Sequence, residues 1–417
     1  MVDDFSEREL AEKAKHFDIR KVDQAFLDNP YPIYRVLREQ YPVHQTPDGL
    51  VFLTRHKDLH QVYQDHHNFS SDKKFEFGQK YGDSSLFLHH TTSLVFNDPP
   101  LHTRVRRRIM PAFTPRALTI LEARFEAMVE ALLDEAQERG SMDVITEFAS
   151  ALPVQIIGDM LGIPVEERGP LRDWSLAILG ALEPVITRES EEWGNNSVDQ
   201  FSEYLGEHLV RFRAGKINRE LGEVLGLLLE NKDQLAALSD EEMIQNCIFL
   251  LNAGHETTTN LIGNGIDCLL RFPDERRKVQ RNPDLLKPAI EEMLRFESSN
   301  QLGNRRAVAD TQIGDVAIEK GTLITLCIGA ANRDPGVFED PENFKIERST
   351  NKHLAFGAGI HSCAGLSLAR LEGRLAIGGL LRRFPDFAMA TDPPVRGGRA
   401  RFRGYLSFPI ELGAPAA

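Results

Sequence analysis

The chain has 417 residues, with 49 Lys+Arg against 62 Asp+Glu and a formal net charge of −13. That length suffices for a large buried core, and the acidic balance argues against a general nucleic-acid-binding surface. The four cysteines, Cys247, Cys268, Cys327 and Cys363, contain no CxxC pair, which argues against a disulfide scaffold and a structural zinc site.

The first seventeen residues are charged throughout and carry no apolar h-region, so they do not read as a secretory signal. No run approaches the roughly 18 apolar residues of a membrane span; the longest, residues 247–251, is short. A reduced, cytoplasmic location is the default expectation. No low-complexity linker and no fixed-period repeat interrupts the chain, which points to one large domain over residues 1–417.

The first strand-like run is residues 50–53. Pro115–Arg139 then places Leu118, Leu121, Phe125, Met128, Val129, Leu132, Leu133 and Ala136 on one stripe, at steps of three and four. Thr114-Pro115 predicts the helix start and Gly140 its stop. Ser239 to Glu242 is a capping-box pattern, and helical sequence runs from Asp240 to Arg271 before Pro273. Those 32 residues span roughly 48 Å at about 1.5 Å each. Residues 244–254 are apolar nearly all round, the mark of a helix inside a core.

In the middle of that helix stands Ala253-Gly254-His255-Glu256-Thr257-Thr258-Thr259-Asn260. Gly costs about 1 kcal/mol relative to Ala in a helix interior, and Thr is a poor helix former. A Thr can bond the carbonyl four residues back, which for Thr257 belongs to Ala253. Small residues beside a loosened carbonyl make room for a ligand, and a carboxylate beside a hydroxyl can pass protons into it. The plainer reading is a kink packed against a neighbour.

Residues 322–328 form a second strand-like run. Then comes Phe356-Gly357-Ala358-Gly359-Ile360-His361-Ser362-Cys363-Ala364-Gly365, followed by the helical pattern Leu366–Arg383 with Leu368, Leu371, Leu375, Ile377 and Leu381 apolar. Cys363 thus sits in a Gly-rich turn that opens a helix. A helix N-terminus favours a thiolate, which is a nucleophile or a metal ligand. The bland alternative is a buried structural Cys. A nucleotide loop is disfavoured because Ser362 stands where GxGxxG needs its third Gly. A last strand-like run, residues 405–412, closes a chain that reads as mainly helical with small sheets.

Together these segments resemble the cytochrome P-450 superfamily of haem-thiolate monooxygenases, in its soluble bacterial form. Residues 356–365 match FGxGxHxCxG at every fixed position, and residues 253–258 match AGx(D/E)T(T/S). ExxR fits Glu292-Met293-Leu294-Arg295. Asn332-Arg333-Asp334-Pro335 follows, with Phe338, Pro341 and Phe344, and Asp98-Pro99-Pro100-Leu101-His102-Thr103-Arg104-Val105-Arg106 comes earlier. Five motifs in the right order cover essentially the whole chain.

The resemblance implies a mainly α fold with small β-sheets, a single large domain holding haem b between a long central helix and the cysteine-loop helix. Cys363 would be the thiolate ligand of the iron. Phe356, Gly357, Gly359 and Gly365 would shape the loop, and the backbone at Ala364 and Gly365 would donate to the sulfur. His102, Arg106, Arg305 and His361 would meet the propionates; Arg306 is the sequence neighbour of Arg305. Glu256 and Thr257 would be the acid–alcohol pair that delivers protons during O₂ activation. Glu292 and Arg295 would hold the core beneath the loop. Asn343 stands where many relatives place a third Arg, so that network reads as a pair plus an amide.

Candidate pocket residues by position are Phe87, Leu94, Phe249, Asn252, Ala253, Asn300, Gln301 and Phe402. Asn252, Asn300 and Gln301 would bond a polar group on a small to medium, mostly apolar substrate. No flavin or iron–sulfur segment follows, so electrons would come from a ferredoxin or flavodoxin with an NAD(P)H-dependent reductase. Such carriers are usually acidic. Residues 98–116 hold Arg104, Arg106, Arg107, Arg108 and Arg116 against one Asp, and Arg370 and Arg374 follow the cysteine, which suggests a basic docking face. The alternatives are a peroxide-driven peroxygenase, which tends to lack the acid–alcohol pair, and a non-catalytic haem-binding sensor.

Overall fold

In the computed structural model the described residues are 6–217, 223–229 and 238–415. The first five residues of the charged N-terminal segment lie outside them. Contacts group the chain into two compact units. One comprises residues 1–71, 260–363 and 388–409; the other comprises 72–259, 364–387 and 410–417.

The first unit opens on helix Glu7–Lys15, where Ser6 and Glu9 form a reciprocal capping box. Its centre is a five-stranded sheet in the order Val43–Gln45, Val51–Leu53, Leu323–Cys327, Leu302–Ala307, Phe69–Ser70. Val51–Leu53 pairs in parallel with Leu323–Cys327, and the other pairings are antiparallel. Side chains alternate across a strand. Phe52 therefore joins one apolar cluster, with Phe17, Phe26 and Tyr34, while Val51 and Leu53 join another with Leu59, Val62, Tyr63, Ile324 and Leu326. Two of the expected strands lie within one residue of their predicted bounds. Leu302–Ala307 carries no strand signal, since Gly303 and Asn304 are poor β formers. The run at 405–412 is two strands, Tyr405–Ser407 and Pro409–Glu411. Pro409 has no N–H to give to a ladder.

Helix Leu286–Phe296 carries Glu292 and Arg295, both fully buried. Arg295 grips the carboxylate with two N–H groups, at 2.7 Å each. Its remaining donors reach the carbonyls of Asn332, Pro341 and Asn343. The third partner differs from the expectation. Asn343 contributes its backbone carbonyl, and the second guanidinium comes from Arg348, 3.1 Å from Glu292 Oε2, with the Asn351 amide also at 3.1 Å. The four residues between positions 343 and 348 let a different side chain reach the same carboxylate. Asn332 continues the chain of bonds: its Nδ2 donates to Ser298 Oγ at 2.8 Å and its Oδ1 accepts the Leu354 N–H at 2.7 Å, beneath the cysteine loop.

In the second unit, helix Pro115–Arg139 begins at Thr114, whose hydroxyl accepts the Ala117 N–H, and ends at Gly140 in the left-handed conformation. Leu118, Phe125, Val129, Leu133 and Ala136 are buried as expected. The helix packs on Leu366–Arg383 so closely that a Cβ at Gly379 would lie 2.7 Å from Val129 Cγ1. Helix Asp240–Arg271 has the expected bounds, and Ser239 and Glu242 cap it reciprocally. Residues 144–161 form a stretch long and apolar enough to cross a membrane, contrary to the reading that no run approaches that length. It is 78% buried within the protein, as a core helix is.

Candidate functional site

The helix Asp240–Arg271 is buried through its middle, with one break. Leu251, Asn252, His255, Glu256, Thr258, Thr259 and Asn260 are buried, whereas Ala253 is exposed and Gly254 and Thr257 are half-buried. At that break the Thr257 hydroxyl donates to the Ala253 carbonyl at 2.7 Å, the bond expected from the sequence. Thr259 makes the equivalent bond to the His255 carbonyl at 3.0 Å. Back-bonding from two Thr in one turn diverts the helix's own acceptors. Gly254 has a packing cause as well: a Cβ there would lie 3.1 Å from Ile157 Cδ1. Glu256 is buried one residue from Thr257.

Thr258 points to a group that the sequence pattern did not single out. Its hydroxyl donates at 3.1 Å to Glu372 Oε2, on helix Leu366–Arg383. Glu372 is 2% exposed, and its Oε1 has no hydrogen-bond partner among the described residues. Burial raises its carboxyl to about 8, against the smaller lowering by Thr258. The group is therefore largely protonated at neutral pH. A Glu nine residues after a cysteine carries no local signal; only the meeting of two helices reveals it.

The cysteine loop belongs to the first unit up to Cys363. Gly357 and Gly359 have φ of 62° and 69°, a region that side chains avoid. At Gly359 the restriction is also steric, because a Cβ would lie 2.0 Å from the Tyr63 carbonyl oxygen. The Cys363 N–H donates to the Phe356 carbonyl at 2.9 Å, which closes the loop three residues before helix Leu366–Arg383 begins. The four thiols separate by environment. Cys247, Cys268 and Cys327 are buried, and burial pushes Cys247 and Cys327 up to about 12 and Cys268 well above its usual value. Cys363 is half-buried.

Tyr63 organises the surroundings of this loop. The Arg305 guanidinium lies over its ring at 5.3 Å, a Cβ at Gly303 would meet its hydroxyl, and Gly357 lies beside the same ring. Arg305 and Gly303 share one strand face, whereas Arg306 projects to the other, near Gly321. Strand alternation thus separates the two neighbouring arginines. Tyr63 was not legible beforehand, because it is almost 300 residues from the loop it supports.

His361 is half-buried in the turn Gly359–His361. In the second unit His102 is buried and Arg106 half-buried, one turn apart on helix Leu101–Ile109. Gly365 caps the cysteine-side helix. Of the pocket candidates, Phe87, Phe249 and Asn300 are half-buried, and Leu94, Asn252, Gln301 and Phe402 are buried. Asn300 bridges Phe402 in a single β-bridge. The Gln301 amide donates to the Ser298 carbonyl at 2.7 Å and lies so close to Gly329 that a Cβ there would clash. The basic face is partly neutralised within its own unit: Arg104 pairs with Glu242 and Arg374 with Glu122, while Arg107 and Arg116 are exposed.

Comparison with known proteins gives a consistent result. The family model described as Cytochrome P-450 matches residues 21–396. The chain is 36% identical over 369 residues to the biotin biosynthesis cytochrome P-450 of Bacillus subtilis (strain 168), covering 88% of this chain and 91% of that protein. It is 34% identical over 398 residues to the vitamin D(3) 25-hydroxylase of Pseudonocardia autotrophica, covering 94% and 96%. Among solved structures it resembles the cytochrome P-450 BioI in complex with an acyl carrier protein carrying hexadec-9Z-enoic acid, with a TM-score of 0.87 and 34% identity over 94% of this chain and 100% of that one.

Proposed function

The chain belongs to the cytochrome P-450 family of monooxygenases, and from that premise we propose that it inserts one atom of O₂ into a small to medium, mostly apolar substrate. Residues 1–417 then act as one domain, since the matching family model runs across both compact units. The overall balance is RH + O₂ + two electrons + two protons to ROH + H₂O.

The family implies haem with a cysteine thiolate ligand, and the residues present fit it. Cys363 is the one half-buried thiol, it lies just before a helix N-terminus, and two left-handed glycines keep side chains off the loop. His102, Arg106, Arg305 and His361 would take the propionates of haem b, and Phe356, Gly357, Gly359 and Gly365 would shape its cradle. When bound, haem supplies the iron at which O₂ is reduced.

The observation that carries the oxygenase reading is the opening at Ala253 and Thr257. There a hydroxyl anchored on a main-chain carbonyl is carried by the residue that follows a buried Glu, Glu256. The Thr257 oxygen is held with its lone pairs available, so it can accept one proton while passing on its own. A peroxygenase or a sensor has no use for that pair. Phe87, Leu94, Phe249, Ala253 and Phe402 would supply the apolar wall, and Asn252, Asn300 and Gln301 its polar points.

Electrons would come from an acidic ferredoxin or flavodoxin and its NAD(P)H-dependent reductase, in the cytoplasm. Arg104, Arg106, Arg107, Arg108, Arg116, Arg370 and Arg374 would form the basic face for that donor, Arg104 also pairing with Glu242 and Arg374 with Glu122. Charge reversal at Arg107 and Arg108 should slow reduction at low salt and flatten its salt dependence; unchanged kinetics would place the donor elsewhere. The reading as a whole is tested by Cys363→Ser. The reduced, CO-treated holoprotein should lose the thiolate-haem band, and product formation from NADPH and O₂ should stop. A retained band would overturn the assignment of the ligand.

A further inference from the structure

Tyr63 stands in the last turn of helix His56–Gln64, and a strand and the cysteine loop both close on it. Its carbonyl oxygen fills the space that a Cβ at Gly359 would need, at 2.0 Å. Its ring lies beside Gly357, with Cε1 at 3.8 Å from the position of a Cβ there. On the strand Leu302–Ala307, a Cβ at Gly303 would lie 2.7 Å from the Tyr63 hydroxyl, and the Arg305 guanidinium is 5.3 Å from the ring centroid. Gly303 and Arg305 share a strand face, so one phenol packs against both. The helix, the strand and the loop up to Cys363 all belong to the first unit.

The face of this ring matters as well as its bulk. Tyr63 is 7% exposed and sits in an apolar cluster with Leu59, Val62, Ile324, Leu326 and Leu354. A leucine would fill such a cluster, but it offers no π face to a cation. Burial raises the phenol above its usual pKa, against the smaller lowering by Arg305 and Arg401, so the ring stays neutral. Arg305 carries its charge on a long stem with much rotamer freedom. The ring and the Asn304 carbonyl, which accepts from Arg305 Nη1 at 2.7 Å, hold that charge in place. Neither anchor is sealed in: Arg305 and every residue from 355 to 363 are half-buried, so both keep surface for a ligand.

We propose that Tyr63 is a positioning residue for haem: its ring aims the Arg305 guanidinium at a propionate while its main chain abuts the turn that leads to Cys363, so the carboxylate and thiolate anchors of the cofactor are held in register. Tyr63 acts through Arg305 and the loop, not by contact with the cofactor. A guanidinium already held in place loses less freedom when a carboxylate arrives, and this preorganisation favours retention of the cofactor. The inference rests on the haem-thiolate reading and adds to it a residue that lies outside every motif carrying the family resemblance.

The test follows transfer of haem from the loaded holoprotein to excess apomyoglobin, a readout independent of turnover. Tyr63→Leu should lose haem about 3- to 10-fold faster than the wild type. Tyr63→Phe keeps the ring face and should stay within about twofold of it. Tyr63→Met replaces the Leu variant if that one folds poorly. The main-chain contact with Gly359 survives every substitution, so these variants report on Arg305. Arg305→Leu should also speed haem loss, and in that background Tyr63→Leu should add less than about twofold, because the cation it positions is gone. A packing role alone predicts the same effect of Tyr63→Leu with and without Arg305. That independence overturns the proposal, as do wild-type haem retention in Tyr63→Leu or Arg305→Leu, or a Phe variant that loses haem as fast as the Leu one. Failure of the haem-thiolate reading looks different: the wild type itself would take up no haem, or its reduced, CO-treated form would lack the thiolate band.

Discussion

Around Glu292 and Arg295, both carboxylate oxygens and all three guanidinium nitrogens have partners, and Arg348, Asn351 and three main-chain carbonyls complete the set. Around Asn252 and Glu372, in the other compact unit, equally buried polar groups keep one acceptor each without a partner among the described residues. Both clusters pay desolvation, but only the first recovers it internally. The contrast separates polar groups that hold the fold from polar groups kept ready for something else. Glu292 lies against the guanidinium groups of Arg295 and Arg348. Glu372 has one hydroxyl donor among the described residues, and burial raises its carboxyl to about 8.

Breaking the satisfied cluster should have the largest effect. Arg295→Ala leaves the Glu292 carboxylate buried with part of its support gone and should cost about 3–5 kcal/mol in denaturant unfolding. A loss under about 1 kcal/mol would erase the distinction drawn between the two clusters. Thr257→Ala, at the helix opening, should hardly change stability yet should redirect electrons: NADPH consumption continues while peroxide replaces product. Unchanged coupling would remove Thr257 from proton delivery.

Glu372→Gln tests the unsatisfied cluster through pH. Its carboxyl is raised from 4.5 to about 8 in the folded protein, so between those values the folded state holds a proton that the unfolded state has released. Its contribution to stability is complete below about 4.5 and is lost as pH rises through about 8. The Gln variant should therefore gain on the wild type steadily from pH 5 to pH 8 in thermal unfolding. Parallel curves for the two proteins would mean that Glu372 is ionised in the fold.

What the sequence could show was local. The bounds of Pro115–Arg139, Asp240–Arg271 and Leu366–Arg383 follow from apolar spacing and end signals, and the Thr257–Ala253 bond follows from a four-residue offset. Cys363 stands out because its loop is contiguous. The rest depends on residues that meet from far apart. Arg348 replaces an expected neighbour at 343, Tyr63 supports a loop almost 300 residues away, and His89 reads as one polar residue among several until it meets Asn252. The strand Leu302–Ala307 is another case: its partners, not its composition, make it a strand. Arg305 and Arg306 are indistinguishable as letters and opposite as strand positions.

The glycines of the cysteine loop divide a mutational library into two kinds of dead variant. At position 359 no side chain fits, since a Cβ would overlap the Tyr63 carbonyl at 2.0 Å, and a φ of 69° adds strain. Position 365 is different: its φ is −88° and a Cβ would lie 3.7 Å from Phe113, an ordinary contact. Losses at 359 will report the polypeptide's own assembly. Losses at 365 will report what the loop must accommodate beyond the polypeptide, so cofactor-uptake screens should read the two positions separately.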